Sequence, residues 1–283
     1  MGVSNTNSTA GNSIMCVGTL SPEPRAIQFA EQVSRALGFD LVLLHVPEPG
    51  ENTEFGEGIL DQTRDLLAEA PQRSILEEGD FEETIHQEVD REPYQLVILG
   101  TSCRSPEEHL TKRSQRLALD LADSVLVMCD PPEKLRHLLI STGGHPGSIP
   151  VEDWGIRLAR GSGAEATILH IVTDAPSMYI GLPALEEGLE EILSRETPLA
   201  QHLKETVRRA DSAGVSVKLS LRHGIVVEEI LRACETEHYD LIVIGSHEPG
   251  RILDHLAMGR IGPQLLSSVK TSVLIIRTET DTR

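Results

Sequence analysis

The sequence predicts an α/β protein made of two tandem, doubly wound, parallel five-stranded sheets. Three observations predict it. Short apolar runs such as Leu96-Val97-Ile98-Leu99 and Leu241-Ile242-Val243-Ile244 are bounded by turn residues, which suits parallel strands covered on both faces. Helix-period segments separate these runs, several of them closed by glycine. The whole order of elements then occurs a second time.

The first strand is Ser13 to Gly18. Ser21-Pro22 opens a helix in which Ala26, Ala30, Val33 and Leu37 recur at helical spacing, and Gly38 stops it. Leu41 to Val46 is the second strand, with a helix after it near Ile59 to Glu69 and a short third strand at Arg73 to Glu77. Gly79-Asp80 caps a helix that carries Phe81, Ile85 and Val89 on one face. Leu96 to Gly100 is the fourth strand, a helix runs through Leu117 and Leu121, and Ser124 to Met128 closes the unit. Asp130 to Lys134, with Pro131-Pro132, reads as a linker.

The pattern then restarts at Leu138 to Gly143. Arg35 to Val46 matches Arg160 to Ile171, Glu78-Gly79 matches His223-Gly224, Tyr94 to Gly100 matches Tyr239 to Gly245, and Ser124 to Val127 matches Ser272 to Ile275. A repeat this long means duplicated domains, because solenoid units run only about 20–50 residues. The expected organisation is a polar, disordered tail over 1–12, a first domain over 13–130 and a second over 135–279. The second copy is longer between its second and third strands. This excursion, roughly Asp174 to Thr197, holds an acidic amphipathic helix whose Leu185, Leu189, Ile192 and Leu193 are expected to pack against the core or a second copy. Right-handed crossovers between parallel strands are the economical way to connect each unit.

Composition narrows the function. A formal net charge of −19 repels nucleic acid and anionic membranes, so neither is an expected partner. No apolar run approaches the ~18 residues of a membrane span, and a cytoplasmic location is expected. Cys16, Cys103, Cys129 and Cys234 form no C-x-x-C pair, so buried thiols are expected and no metal centre. His45 and His170 sit at equivalent strand positions in the two copies, which points to a structural ring bonded to a neighbouring backbone. His145 and His247 lie in loops after strand ends, with His255 beyond them, but without the H-x-x-x-H or H-E-x-x-H spacing of a metal site.

The best candidate site follows the strand Asp240 to Gly245. Glycines at the C-terminal end of a parallel strand let a ligand approach the backbone, and a following helix N-terminus offers N–H groups to an anion. The expected ligand is a phosphate-bearing molecule at the switch point of the second sheet. Thr142 and Gly143 after the first strand, Ile171 at the end of the second, and Ile244, Gly245, Ser246, His247, Gly250, Gly259, Arg260 and Ile261 are the candidate residues.

These motifs, in this order and twice over, resemble the universal stress protein family in a tandem form. The second unit carries the closer match, in Leu138 to Pro146, in Ala166 to Ile171 and in Asp240 to Gly245 with its glycine-bearing sequel. The resemblance implies an adenine-nucleotide-hydrolase-like sheet of order 3-2-1-4-5. Some members bind ATP through an aspartate ending the first strand and a loop of form G-x2-G-x9-G-[ST]. Here the aspartate position is Gly143 in the second unit and about Thr19 in the first. Gly245 and Gly259 take the outer glycine places, the middle glycine is displaced to Gly250, and Arg260 replaces the hydroxyl residue. The first unit keeps Gly100 but has Thr111 in the last place and no glycine between them. The resemblance therefore implies ATP or AMP, with magnesium, in the second unit. The expected role is a non-catalytic stress-response protein. A nucleotide-independent scaffold binding an unidentified protein is the alternative, and an ATP-hydrolysing enzyme ranks third. Family members commonly dimerise through the last strand, which implies an internal pseudo-dimer here and leaves room for a homodimer.

Overall fold

A computed structural model describes residues 11–18, 22–100, 112–173, 188–246 and 261–277 of the 283. The first half contains β1 (Gly11–Val17), α1 (Pro24–Ala36), β2 (Phe39–His45), α2 (Thr53–Leu66), β3 (Arg73–Leu76), α3 (Phe81–Arg91), β4 (Leu96–Leu99), α4 (Lys112–Asp120) and β5 (Ser124–Val127). The second half contains β6 (His137–Thr142), α5 (Ile149–Ser162), β7 (Glu165–Val172), α6 (Leu189–Ser194), α7 (Pro198–Ser212), β8 (Val217–His223), α8 (Val226–Thr236), β9 (Leu241–Gly245), α9 (Ile261–Ser268) and β10 (Ser272–Ile276).

Each half has the strand order expected from the sequence, but the two sheets are one. The full order is β3-β2-β1-β4-β5-β10-β9-β6-β7-β8. Pairing within each half is parallel, and β5 meets β10 antiparallel, with Leu126 opposite Leu274. These leucines are equivalent positions of the repeat, so the seam lies on an approximate two-fold axis: the internal pseudo-dimer.

The sheet is covered on both faces. One core runs continuously across both halves beneath α1, α2, α5 and α7, and includes Leu126, Leu274, Phe29, Leu43 and Leu158. The other lies beneath α3, α4, α8 and α9, and includes Ile85, Leu117, Ile230, Leu265 and Val273. Every residue of β4, β5 and β10 is buried, which explains their unbroken apolar sequence.

Three boundaries differ from the sequence reading. β1 starts at Gly11, inside the expected tail, because Asn12 is held at both backbone groups: its N–H donates to Gln95 Oε1 (2.5 Å) and its carbonyl accepts from Gln95 N (2.9 Å). Residues 1–10 of that tail lie outside the described residues. α1 starts at Pro24, with the Glu23 carboxylate accepting from Ala26 N (3.1 Å). Proline tolerates this first position because its missing N–H would have had no partner there. α2 starts six residues before Ile59, at Thr53, capped by Asn52 Oδ1 accepting from Phe55 N at 2.8 Å. In the excursion only 188–197 are described. They form α6, whose Ile192 is buried and which packs on α7, as its apolar stripe predicts.

Candidate functional site

β6, β7 and β9 are parallel neighbours, so their C-terminal ends open on one edge of the sheet. A cavity of about 320 Å³ lies there. Seven of the sequence candidates line it together: Thr142, Gly143, Ile171, Ile244, Gly245, Ser246 and Ile261. His247, Gly250, Gly259 and Arg260 lie outside the described residues, as do His255, Thr19, Thr111 and Cys103. The sequence reading did not include Val151, Leu199 and Val226, which complete the apolar walls. They come from α5, α7 and α8 and look like ordinary core positions in the sequence.

The floor of the cavity is the loop after β6. Gly144 adopts φ +74°, and a Cβ there would collide with Leu199 Cδ1 and approach His170 Cε1 to 2.8 Å. Only glycine suits both constraints. His145 accepts at Nδ1 from Gly147 N (3.0 Å), while Ser148 Oγ donates to the His145 carbonyl (2.7 Å). Together they cap the short 3-10 turn Pro146–Ser148. His170 donates from Nδ1 to the Thr142 carbonyl (3.1 Å), and His45 does the same to Val17 (2.9 Å). The equivalent histidines thus clamp the ends of β6 and β1, as the repeat suggested. No cluster of three histidine, cysteine, aspartate or glutamate side chains fit for a metal occurs among the described residues. Cys16 and Cys129 are buried. Burial pushes the Cys16 and Cys234 thiols up to about 12, so both are protonated at neutral pH and poor nucleophiles.

Behind the cavity wall lies a feature the sequence did not disclose. Glu152, on α5, is fully buried. Its carboxylate accepts from His202 Nε2 (2.7 Å), from Thr206 Oγ1 (2.8 Å), from Thr142 Oγ1 and from Arg209. Arg209 also pairs with Asp153. Thr142 Oγ1 accepts in turn from Gly144 N (3.1 Å). One buried charge therefore connects the cavity floor to α7. Burial alone would push the Glu152 carboxyl up; the hydrogen bonds from His202, Thr142 and Thr206 outweigh it and hold the group below its ordinary 4.5. Counted back from the helix-ending Gly38 and Gly163, both at positive φ, the first half has Ile27 where the second has Glu152. Val17 stands where Thr142 does. The first half forms the same sheet order without this network, so the fold itself does not require it.

Fold and cavity together define a tandem doubly wound α/β protein with a ligand-sized pocket at the strand ends of its second half. The universal stress protein family profile matches residues 134–277; the chain belongs to that family, as a tandem form. A universal stress protein of Methanocaldococcus jannaschii is 26% identical over 145 residues, covering 50% of this chain and 82% of its own. One from Methanothermobacter thermautotrophicus is 22% identical over 146 residues, covering 52% of this chain and 98% of its own. The crystal structure of a universal stress protein from Archaeoglobus fulgidus superposes with a TM-score of 0.65 at 13% identity, over 93% of this chain and 98% of that one. That last likeness extends the shared fold across both halves. No helix among the described residues is long and apolar enough to cross a membrane.

Proposed function

We propose that the second half binds one adenine nucleotide, ATP or AMP with magnesium, and that the chain acts as a non-catalytic stress-response protein. The observation that carries this reading is the convergence of seven candidate residues on one cavity at the C-terminal strand edge, where open α/β sheets take their ligands. Its volume lies at the lower end of the usual range of about 300–1,000 Å³ and suits the base and ribose. Ile171, Ile244, Val226 and Ile261 offer apolar surface to a base. Ser246 and the backbone of Gly245 offer polar groups near a ribose or phosphate, while the Thr142 hydroxyl, engaged by Glu152 and Gly144, holds the cavity floor in place. The non-catalytic reading rests on occupied chemistry: Nδ1 of both cavity histidines is bonded to backbone, and the Glu152 carboxylate that Thr142 contacts is enclosed in its own network.

Gly143, in the place of an acidic residue, favours the second reading, a nucleotide-independent scaffold. Calorimetric titration with ATP, AMP and cyclic AMP, with and without magnesium, separates the two. Saturable binding near one per chain is expected. It should be lost in Gly259→Glu, kept in Thr111→Glu and strengthened in Gly143→Asp. Heat indistinguishable from dilution at millimolar ligand would overturn nucleotide binding and leave the scaffold. Turnover abolished by substituting a loop histidine would make the protein an enzyme.

A further inference from the structure

A second cavity, an open groove of about 560 Å³, lies on the outer face between α5 and α7. Four arginines line it, Arg157 and Arg160 from α5 and Arg208 and Arg209 from α7, against two carboxylates, Asp153 and Glu205. We propose that this groove is a binding site for a compact oxyanion carrying two or more negative charges.

Three observations carry the proposal. The first is charge. A chain of net charge −19 repels anions over most of its surface, yet this groove gathers four guanidinium groups within one patch.

The second is the state of those arginines. Arg208 and Arg209 are tied to carboxylates, to Glu205 at 2.5 Å and to Asp153 and Glu152 respectively. Arg157 lies over the Phe39 ring, 5.0 Å from its centroid, and has no ion pair with a carboxylate among the described residues. Arg160, one turn further on, has no ion pair among the described residues, and both arginines are exposed. Two planar forks of this kind match the paired oxygens of phosphate or carboxylate.

The third is the comparison within the molecule. Counted from the same helix ends, α1 has Gln28 for Asp153, Gln32 for Arg157 and Arg35 for Arg160. Gln32 accepts from Leu135 N at 2.7 Å and Arg35 is paired with Glu69 at 3.5 Å. Glu31, at the Ile156 position, accepts from Ala68 and Glu69 N–H and draws the end of α2 against α1. The duplicated scaffold thus closes this face in the first half with neutral and paired groups. The unpaired cations of the second half are not required by the fold.

Pyrophosphate and citrate, titrated calorimetrically into the full chain, test the proposal. The comparison is with R157Q/R160Q and with R160Q alone. R160Q breaks no ion pair among the described residues and should keep the wild-type melting temperature, whereas R157Q also gives up the Phe39 contact, so the fold of the double variant is checked by circular dichroism. Saturable binding, one anion per chain, weakened at least tenfold in the double variant and by added salt, is expected. Pyrophosphate without citrate would support a phosphate ligand, and both together a ligand read by charge. Binding undiminished in R157Q/R160Q would place the anion elsewhere, the strand-edge cavity included, and overturn the proposal. So would absence of binding by both probes at millimolar concentration. A dimer lost in R157Q/R160Q without anion binding would instead assign the groove to the acidic surface of a second copy.

Discussion

Glu152 sits where α1 has an isoleucine. Four donors reach its carboxylate, one from Thr142 at the end of β6 and three from His202, Thr206 and Arg209 of α7. Replacing a buried ion cluster by apolar residues is often neutral for stability, whereas removing one partner is not. Glu152→Gln should therefore destabilise the protein by about 1–3 kcal/mol at neutral pH. It should also change the pH profile. A carboxyl held below 4.5 stabilises the fold above that pH, and the contribution is lost as pH falls through its lowered value. Urea titrations between pH 7 and 3 should show wild-type stability converging on that of the variant below 4.5; a constant gap would sink this account. The network was hard to read in the sequence. Glu152 near the start of an amphipathic helix looks like a surface acid, and His202, Thr206 and Arg209 are fifty or more residues away. Aligning the two halves would have been the signal, since Ile27 marks the position as core. The clamping histidines were legible for that reason: they occupy equivalent places in both copies.

At the scale of elements, the contact between halves is decided by α1 and α5. Gly161 lies on Ala36, its own equivalent in the repeat, so the two helices cross near the pseudo-two-fold axis. A Cβ on Gly161 would collide with the Ala36 carbonyl and approach its Cα to 2.6 Å. Both are backbone atoms, so no side-chain rotation relieves the clash. Phe39 and Trp154 extend the contact, edge to face with centroids 5.6 Å apart. Gly161→Ala should destabilise by about 1–3 kcal/mol and weaken the coupling of the halves. Calorimetric melting should show a lowered, broadened or split transition; an unchanged single transition would contradict the packing. The sequence placed the helices but not this crossing. It also missed the first turn of α2, because Gly56 and Gly58 dilute the helical pattern that Asn52 in fact initiates.

At the scale of the molecule, ten strands form one sheet because β5 and β10 each need a neighbour. Both are buried throughout. Left alone, either would be an apolar strand edge open to pairing. A fragment spanning 134–277 should consequently form a homodimer through β10, while the full chain has this edge satisfied internally. Sedimentation of both would check it, and a monomeric fragment would show that the seam does not depend on the edge. The sequence by itself determined the two α/β units, the order of their elements and the seven residues that meet at the strand-edge cavity. Those follow from local periodicity, turn chemistry and repetition, all of which are written in short stretches of chain. The pairing of the halves through their last strands was expected from the family resemblance; only the tertiary structure decided the register of that seam, the Gly161 crossing, the buried Glu152 network and the arginine groove. Each depends on groups distant in sequence that meet only when α5 and α7 are packed on the sheet. A charged residue's meaning, surface or core, is set by which partners that packing brings to it.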